Sequence, residues 1–307
     1  EAYVNTRGFS SYLRRIGEVR AEDTICLGGD LRPSTHGKER SILGAVARAV
    51  LDSDLQMEYL GRIPTPALTS HALRKDRASV MVTGSHIPFD RNGVKFNKTR
   101  GEILKEDEPG ILEEVERIRQ MEYSRDPSTS LFDDRGMFKA GAGVELPPAS
   151  TDAARSYRRR YTHFFPGDAL RGLRVVFFQH SAVGRDLLVD ILRDLGAEVH
   201  PVGRSDEFIA IDTEAITEDR LRDFQRMIEG VSREKGSVDA LVSTDGDSDR
   251  PLLVALDSRG RPRFYGGDLL GIVVAEYLEA EQVAVPISAN DAVDIELSKH
   301  GVSLIKT

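Results

Sequence analysis

Cysteine is nearly absent: among 307 residues Cys26 stands alone, so no disulfide framework can form within the chain. An excess of basic charge is absent too. Lys and Arg number 42 against 50 Asp and Glu, a formal charge of −8. Such a chain has no bulk attraction for nucleic acid or acidic lipid, so any phosphate it handles must be gripped locally. No stretch of 18 apolar residues occurs, and the first residues, Glu1 to Gly8, hold no basic segment leading into an apolar one. The expectation is a soluble, cytoplasmic protein with no nucleic-acid or membrane partner.

Forty per cent of the residues are apolar, and the length exceeds what one core usually serves. Short apolar strands alternate with amphipathic helices, which predicts α/β layers. Thr24–Leu27, Leu55–Leu60 and Ser79–Val82 read as strands, and a helix from about Lys38 to Leu51 separates the first two. Thr65-Pro66 opens another helix, with Thr as N-cap. Residues 123–148, poor in pattern and ending in Leu146-Pro147-Pro148, read as a linker. A helix from about Ser150 to Phe165 then leads to a second run: strand 174–178, a helix closed by Gly196, helix 217–235, and strands 239–243 and 251–256. A third run starts near Gly266. The expected fold is thus α/β, in successive three-layer α/β domains with mixed sheets: residues 1–148, 149–262, and 263–307, the last ending inside a third domain. Gly-Gly-Asp-Leu occurs at Gly28 and Gly266, which hints at a repeat.

Chemistry concentrates in two loops at predicted strand ends. Asp245-Gly246-Asp247-Ser248-Asp249-Arg250 places carboxylates at alternate positions, so three hard oxygen ligands can converge on one cation, and magnesium suits such a set. An EF-hand would need Gly at the sixth position and Glu at the twelfth, where Arg250 and Leu256 stand. A polar surface turn is the plainer alternative, although three aspartates in five residues repel one another. The other loop, Thr83-Gly84-Ser85-His86-Ile87-Pro88, presents a serine after a tight turn, with His86 beside it. An ordinary turn explains it equally well by itself, and it does not fit the Gly-x-Ser-x-Gly nucleophile elbow.

Together the loops resemble those of the α-D-phosphohexomutase superfamily, which includes phosphomannomutases and phosphoglucomutases. Its serine loop reads Thr-(Ala/Gly)-Ser-His-Asn-Pro followed by Asn-Gly-x-Lys, matched by Thr83–Pro88 and Asn92-Gly93-Val94-Lys95. Its metal loop matches Asp245–Arg250. Asn5-Thr6-Arg7-Gly8, Gly29-Asp30-Leu31-Arg32-Pro33-Ser34 and Ile63-Pro64-Thr65-Pro66 are similar to further signatures in the same order. The resemblance implies a phosphohexomutase, an isomerase of carbohydrate metabolism. It would interconvert hexose 6-phosphate and hexose 1-phosphate, of mannose or glucose, through a phosphoserine and a hexose 1,6-bisphosphate. It implies that Ser85 carries the phosphoryl group and that Asp245, Asp247 and Asp249, with Ser85, hold one Mg²⁺. Arg250, Arg7, His86 and Lys95 would surround the transferred group, and Lys306 would serve as a general acid or base. Ile87 departs from the family's Asn. Relative to the four family domains, the chain lacks the rest of the third and the whole fourth, where the sugar is read. A magnesium-dependent sugar phosphatase and a non-catalytic metal-binding remnant are the competing readings. The other histidines, His36, His71, His163, His180, His200 and His300, suggest ordinary surface or core roles.

Overall fold

The structure is a computed structural model that describes residues 1–37 and 41–307. The predicted start of the first long helix, Lys38 to Arg40, lies outside the described residues. In chain order the elements are α1 (Ala2–Arg15), β1 (Thr24–Gly29), α2 (Pro33–His36), α3 (Ile42–Leu51), β2 (Gln56–Arg62), α4 (Thr65–Leu73), β3 (Ser79–Val82), β4 (Val94–Lys98), β5 (Gly101–Glu102) and α5 (Glu108–Tyr123). There follow α6 (Asp152–Phe164), β6 (Arg174–His180), α7 (Arg185–Asp194), β7 (Glu198–Arg204), α8 (Glu218–Lys235), β8 (Ala240–Thr244), β9 (Pro251–Leu256) and β10 (Pro262–Tyr265). The chain closes with α9 (Gly267–Tyr277), β11 (Gln282–Val285), α10 (Asp291–Lys299) and β12 (Ser303–Lys306).

Strands β1 to β5 form one sheet in the order β2-β1-β3-β4-β5, and β6 to β10 form another in the order β10-β9-β8-β6-β7. Read from the opposite edge, the second sheet repeats the first. In each, the first strand pairs in parallel with the second and the third, and the last two strands are antiparallel. The repeat therefore lies in topology. The two Gly-Gly-Asp-Leu segments are not equivalent, since one ends β1 and the other opens α9. Strands β11 and β12 pair in parallel, joined through α10.

Burial explains the central strands. Ile25, Cys26 and Leu27 are wholly buried, as expected where helices cover both faces of a parallel core. One face of the first sheet meets α1 and α3 through Phe9, Leu13, Leu43, Val46 and Val50. The other meets α4 through Leu68 and Ala72, and that layer continues into Tyr157 of α6 and Ile191 of α7. One apolar layer thus joins the helices of both sheets. On the second sheet, Phe224 and Ile228 of α8 cover one face and Val189 of α7 the other.

Two local readings need correction. Thr65 is the first residue of α4, not its cap; Pro64 is the N-cap. The stretch 123–148 is irregular but not a loose tether. Phe132 and Phe138 form a bridge, stack at 5.0 Å and pack edge-on against Tyr3 of α1. Two phenylalanines six residues apart carry no strand or helix period, so the sequence pattern hides their shared burial.

Candidate active site

The two chemical loops occupy equivalent places. Residues 83–93 join β3 to β4, and residues 245–250 join β8 to β9, so each follows the third strand of its sheet. Open α/β sheets gather ligands at such strand ends. Here the two ends face each other: the Ser85 hydroxyl donates to Asp245 Oδ2 at 2.5 Å, across 160 residues of sequence.

The serine loop is tightly built. Thr83 and Gly93 exchange backbone hydrogen bonds at 3.0 and 3.1 Å, closing its base. Asn92 donates to the hydroxyls of Ser34 and Thr35, both at 2.9 Å. The Ser85 amide donates to Thr83 Oγ1, whose own hydroxyl donates to buried Asp30. Ser85 itself has φ +51°, in the left-handed region that non-glycine residues rarely occupy. Gly84 serves a different end from the tight turn expected of it. A Cβ there would sit 2.7 Å from the Arg32 guanidinium carbon, so glycine admits Arg32 against the loop.

The acidic loop is held as firmly. Asp245 Oδ1 accepts from the backbone amides of Asp249 and Arg250, both at 3.2 Å. Ser248, also at positive φ, accepts from the Gly184 amide at the start of α7. Gly246 faces the serine loop, where a Cβ would lie 2.7 Å from the Ser85 carbonyl oxygen. From the start of α4, Thr65 donates its hydroxyl to Asp247 Oδ2 at 2.5 Å, and its amide donates to the Asp247 carbonyl. Lys95 of β4 reaches Asp247 at 2.8 Å and Asp249 at 2.6 Å.

Asp245, Asp247 and Asp249 can each offer an oxygen so that all three lie within 4.8 Å of one another. Asp245 and Asp247 are wholly buried. Burial, and then the neighbouring Asp247 carboxylate, push the Asp245 carboxyl up to about 7. Burial also pushes on Asp247, but the ammonium of Lys95 and its hydrogen bonds outweigh that and hold it below the usual range. One ammonium thus faces three acids, and Asp247 Oδ1 is buried with no hydrogen-bond partner. A buried carboxylate oxygen left unpaired is costly, and a divalent cation accepting hard oxygen ligands satisfies it. The donor set therefore fits Mg²⁺. Cys26, Glu58 and His71 also lie close enough together to share an ion. Glu58, however, is already taken by His71, Lys75 and Arg77, so that group is satisfied by ion pairs.

Not every expected residue joins the cluster. His86 does, with Nδ1 3.4 Å from the Ser85 hydroxyl oxygen. Lys95 does as well. Arg250 lends its backbone to Asp245, while its side chain pairs with Glu214 at 2.7 Å. Arg7 is placed otherwise. It lies inside α1, where its guanidinium pairs with buried Glu122 and bonds Tyr3, because helical spacing carries it to the α1–α5 seam. Lys306 sits at the end of β12 and pairs with Asp294 of α10. The remaining histidines mostly find local partners, such as Glu58 for His71, the Thr244 carbonyl for His180 and Glu276 for His300. Thr65, Asp30 and Arg32 are functional neighbours that the Pro-Thr-Pro and Gly-x-Asp-x-Arg signatures could have flagged. Phe208, packed on Arg32 and beside Gly246, carries no such signal.

Two topologically matched α/β sheets meet where a serine loop faces an acidic loop. Residues 2–122 match the family model described as "Phosphoglucomutase/phosphomannomutase, alpha/beta/alpha domain I". The chain is 38% identical over 299 residues to a phosphomannomutase of Sinorhizobium fredii, covering 97% of this chain and 57% of that protein. It is 38% identical over 283 residues to a phosphomannomutase of Salmonella muenchen, covering 92% of this chain and 52% of the relative. A crystal structure of a phosphoglucomutase/phosphomannomutase family protein from Burkholderia thailandensis has the same fold, with a TM-score of 0.70 at 18% identity, over 99% of this chain and 61% of that one. The chain matches the phosphoglucomutase/phosphomannomutase domain I model over residues 2–122 and spans little more than half the length of the two phosphomannomutases it resembles. No helix among the described residues is long and apolar enough to cross a membrane.

Proposed function

We propose that this chain carries the phosphoserine and metal half of a phosphohexomutase, which interconverts hexose 6-phosphate and hexose 1-phosphate, of mannose or glucose. The 38% identity to two phosphomannomutases favours mannose among the hexoses. Residues 1–148 would form the domain bearing the serine, 149–262 the domain bearing the acids, and 263–307 part of a third. The observation that carries the reading is the Ser85 hydroxyl meeting Asp245 at 2.5 Å beside two further acids.

Phosphoryl transfer is mainly a matter of in-line positioning and charge neutralisation. Ser85 would carry the phosphoryl group, donate it to a hexose phosphate to give the 1,6-bisphosphate, and recover the other phosphate. Asp245, Asp247 and Asp249, with an oxygen on Ser85, would hold one Mg²⁺, which supplies positive charge against the transferred dianion. Lys95, bridging Asp247 and Asp249, stands ready to shift towards a phosphate once those acids are otherwise neutralised. His86 lies within reach of the serine hydroxyl and can exchange its proton. Arg250 would turn from Glu214 to the substrate. Arg7 holds the helix seam, and Lys306 would act from the third domain.

Intact-mass measurement tests this. After incubation with magnesium and glucose 1,6-bisphosphate, the chain should gain one phosphoryl group, and Ser85→Ala should gain none. Uptake by the Ala variant, or inorganic phosphate released from hexose monophosphates without any serine adduct, would overturn the reading, the latter in favour of a phosphatase.

A further inference from the structure

Arg32 is wholly buried, yet every one of its side-chain N–H groups is used. Nε donates to Asp30 at 3.1 Å. One terminal nitrogen donates to the carbonyls of Pro88 (2.7 Å) and Arg91 (3.0 Å), the other to those of Ser85 (3.0 Å) and Ile87 (2.7 Å). A guanidinium has five such donors in one plane, and here all five are spent, four of them on the backbone of the serine loop. The carbonyl taken from Ser85 belongs to the residue at φ +51°. A left-handed serine persists only where its surroundings over-determine it.

The open face of that guanidinium is covered from the other sheet. Phe208, in the irregular segment between β7 and α8, lies with its ring centroid 4.0 Å from the guanidinium carbon, a cation–π stack. The same ring borders Gly246, whose missing Cβ would lie 3.1 Å from it and 2.7 Å from the Ser85 carbonyl. Arg32 and Gly246 thus meet at the Ser85 carbonyl, and the Phe208 ring borders both.

We infer that Arg32 is a positioning residue that holds Ser85 in the conformation aiming its hydroxyl at the acidic loop, and that Phe208 locks this clamp from the second sheet. Ile87 fits this arrangement, because the clamp uses its carbonyl rather than its side chain. The inference rests on the reading of Ser85 as the phosphoryl carrier, while its geometric content can be read separately.

Arg32→Lys keeps the charge but offers three donors on a flexible stem, which cannot hold four carbonyls and Asp30 in one plane. Phe208→Leu removes the stack and leaves the first sheet untouched. Two measurements decide: the rate of phosphoryl uptake from glucose 1,6-bisphosphate by intact mass, and amide hydrogen exchange resolved by peptide. The expected result is faster exchange confined to residues 85–91, with β1 and β3 unchanged in both variants. Uptake at saturating bisphosphate should fall by up to about 10²-fold for Arg32→Lys and by less for Phe208→Leu, with little change in the half-saturating concentration. Wild-type uptake and loop exchange in a folded Arg32→Lys protein would overturn the inference, as would faster exchange spread over the whole first sheet. If Arg32→Lys fails to fold, Phe208→Leu decides, and wild-type behaviour there refutes the lock. If the unmutated chain takes up no phosphoryl group, the functional reading fails, and loop exchange alone judges the clamp.

Discussion

Asp247→Asn separates what the acidic loop costs from what it binds. The three candidate ligand oxygens lie within 4.8 Å of one another, and two unit charges at that distance repel by about 3.5 kcal/mol at an effective dielectric constant near 20. Asparagine keeps the shape and can still accept the Thr65 hydroxyl, but removes one charge from that repulsion. It also removes one of the two ion pairs of Lys95, at 2.8 Å, leaving the one to Asp249. These losses and gains are of similar size, so the metal-free variant should differ from the parent by no more than about 1 kcal/mol. Magnesium should then tell them apart. A ligand at a hundred times its Kd stabilises by about 2.7 kcal/mol, which for a cooperative unit of about 150–250 residues is a rise in Tm of roughly 5–10 °C. Thermal melts at constant ionic strength, with and without magnesium, measure it. The parent should shift upwards and the variant barely at all. A parent indifferent to magnesium, or a variant that responds equally, would refute the idea that the orphaned Asp247 Oδ1 awaits a cation.

Other outcomes follow from the same contacts. Gly246→Ala places a methyl 2.7 Å from the Ser85 carbonyl and should cost about 1–3 kcal/mol in urea unfolding, together with loss of phosphoryl uptake. Asp107 is buried and so pushed upwards, but the bonds from Lys98, Tyr12 and the Leu104 amide outweigh this and bring it down to about 2. Its folded value lies below its unfolded one, so its contribution is complete above about pH 4 and fades as pH falls towards 2. Asp107→Asn should flatten that part of the pH–stability curve, and an unchanged acid slope would contradict the assignment. For His180, burial outweighs the bond to the Thr244 carbonyl and depresses the ring to about 4. Protonating the unfolded chain below its ordinary value of 6.5 should therefore weaken the second sheet as pH falls from about 6.5 to 4, a loss that His180→Gln should lessen.

How much of this was legible in the residues differs by element. Runs such as Ile25-Cys26-Leu27 and Val175-Val176-Phe177 announce buried strands, since a central parallel strand needs no alternation. Strand β7, with Pro201 and Gly203 in it, and the short β5 lack that signal and owe their pairing to neighbours. The acidic loop declared itself because few structural needs call for three crowded carboxylates. The cluster's other half was less visible: Thr65 looks like a helix cap until Asp247 is seen opposite. Arg7 illustrates the reverse. Its Arg-Gly dipeptide resembled a signature, yet the preceding residues are helical and carry it to Glu122.

The matched topologies explain why neither sheet could serve alone. In each, the connection after the third strand leaves the sheet at the same place, and in each it holds a residue at positive φ, Ser85 in one and Ser248 in the other. The first loop is gripped by a buried guanidinium, whose donors fix carbonyls and present a hydroxyl. The second is gripped through backbone amides, which fix a carboxylate and present acids. Putting the acids and the hydroxyl on one loop would leave them to hydrogen-bond each other locally, as Ser and Asp do in ordinary turns. On facing loops they meet across the cleft, while the apolar layer shared by α4, α6 and α7 joins the two sheets beside it.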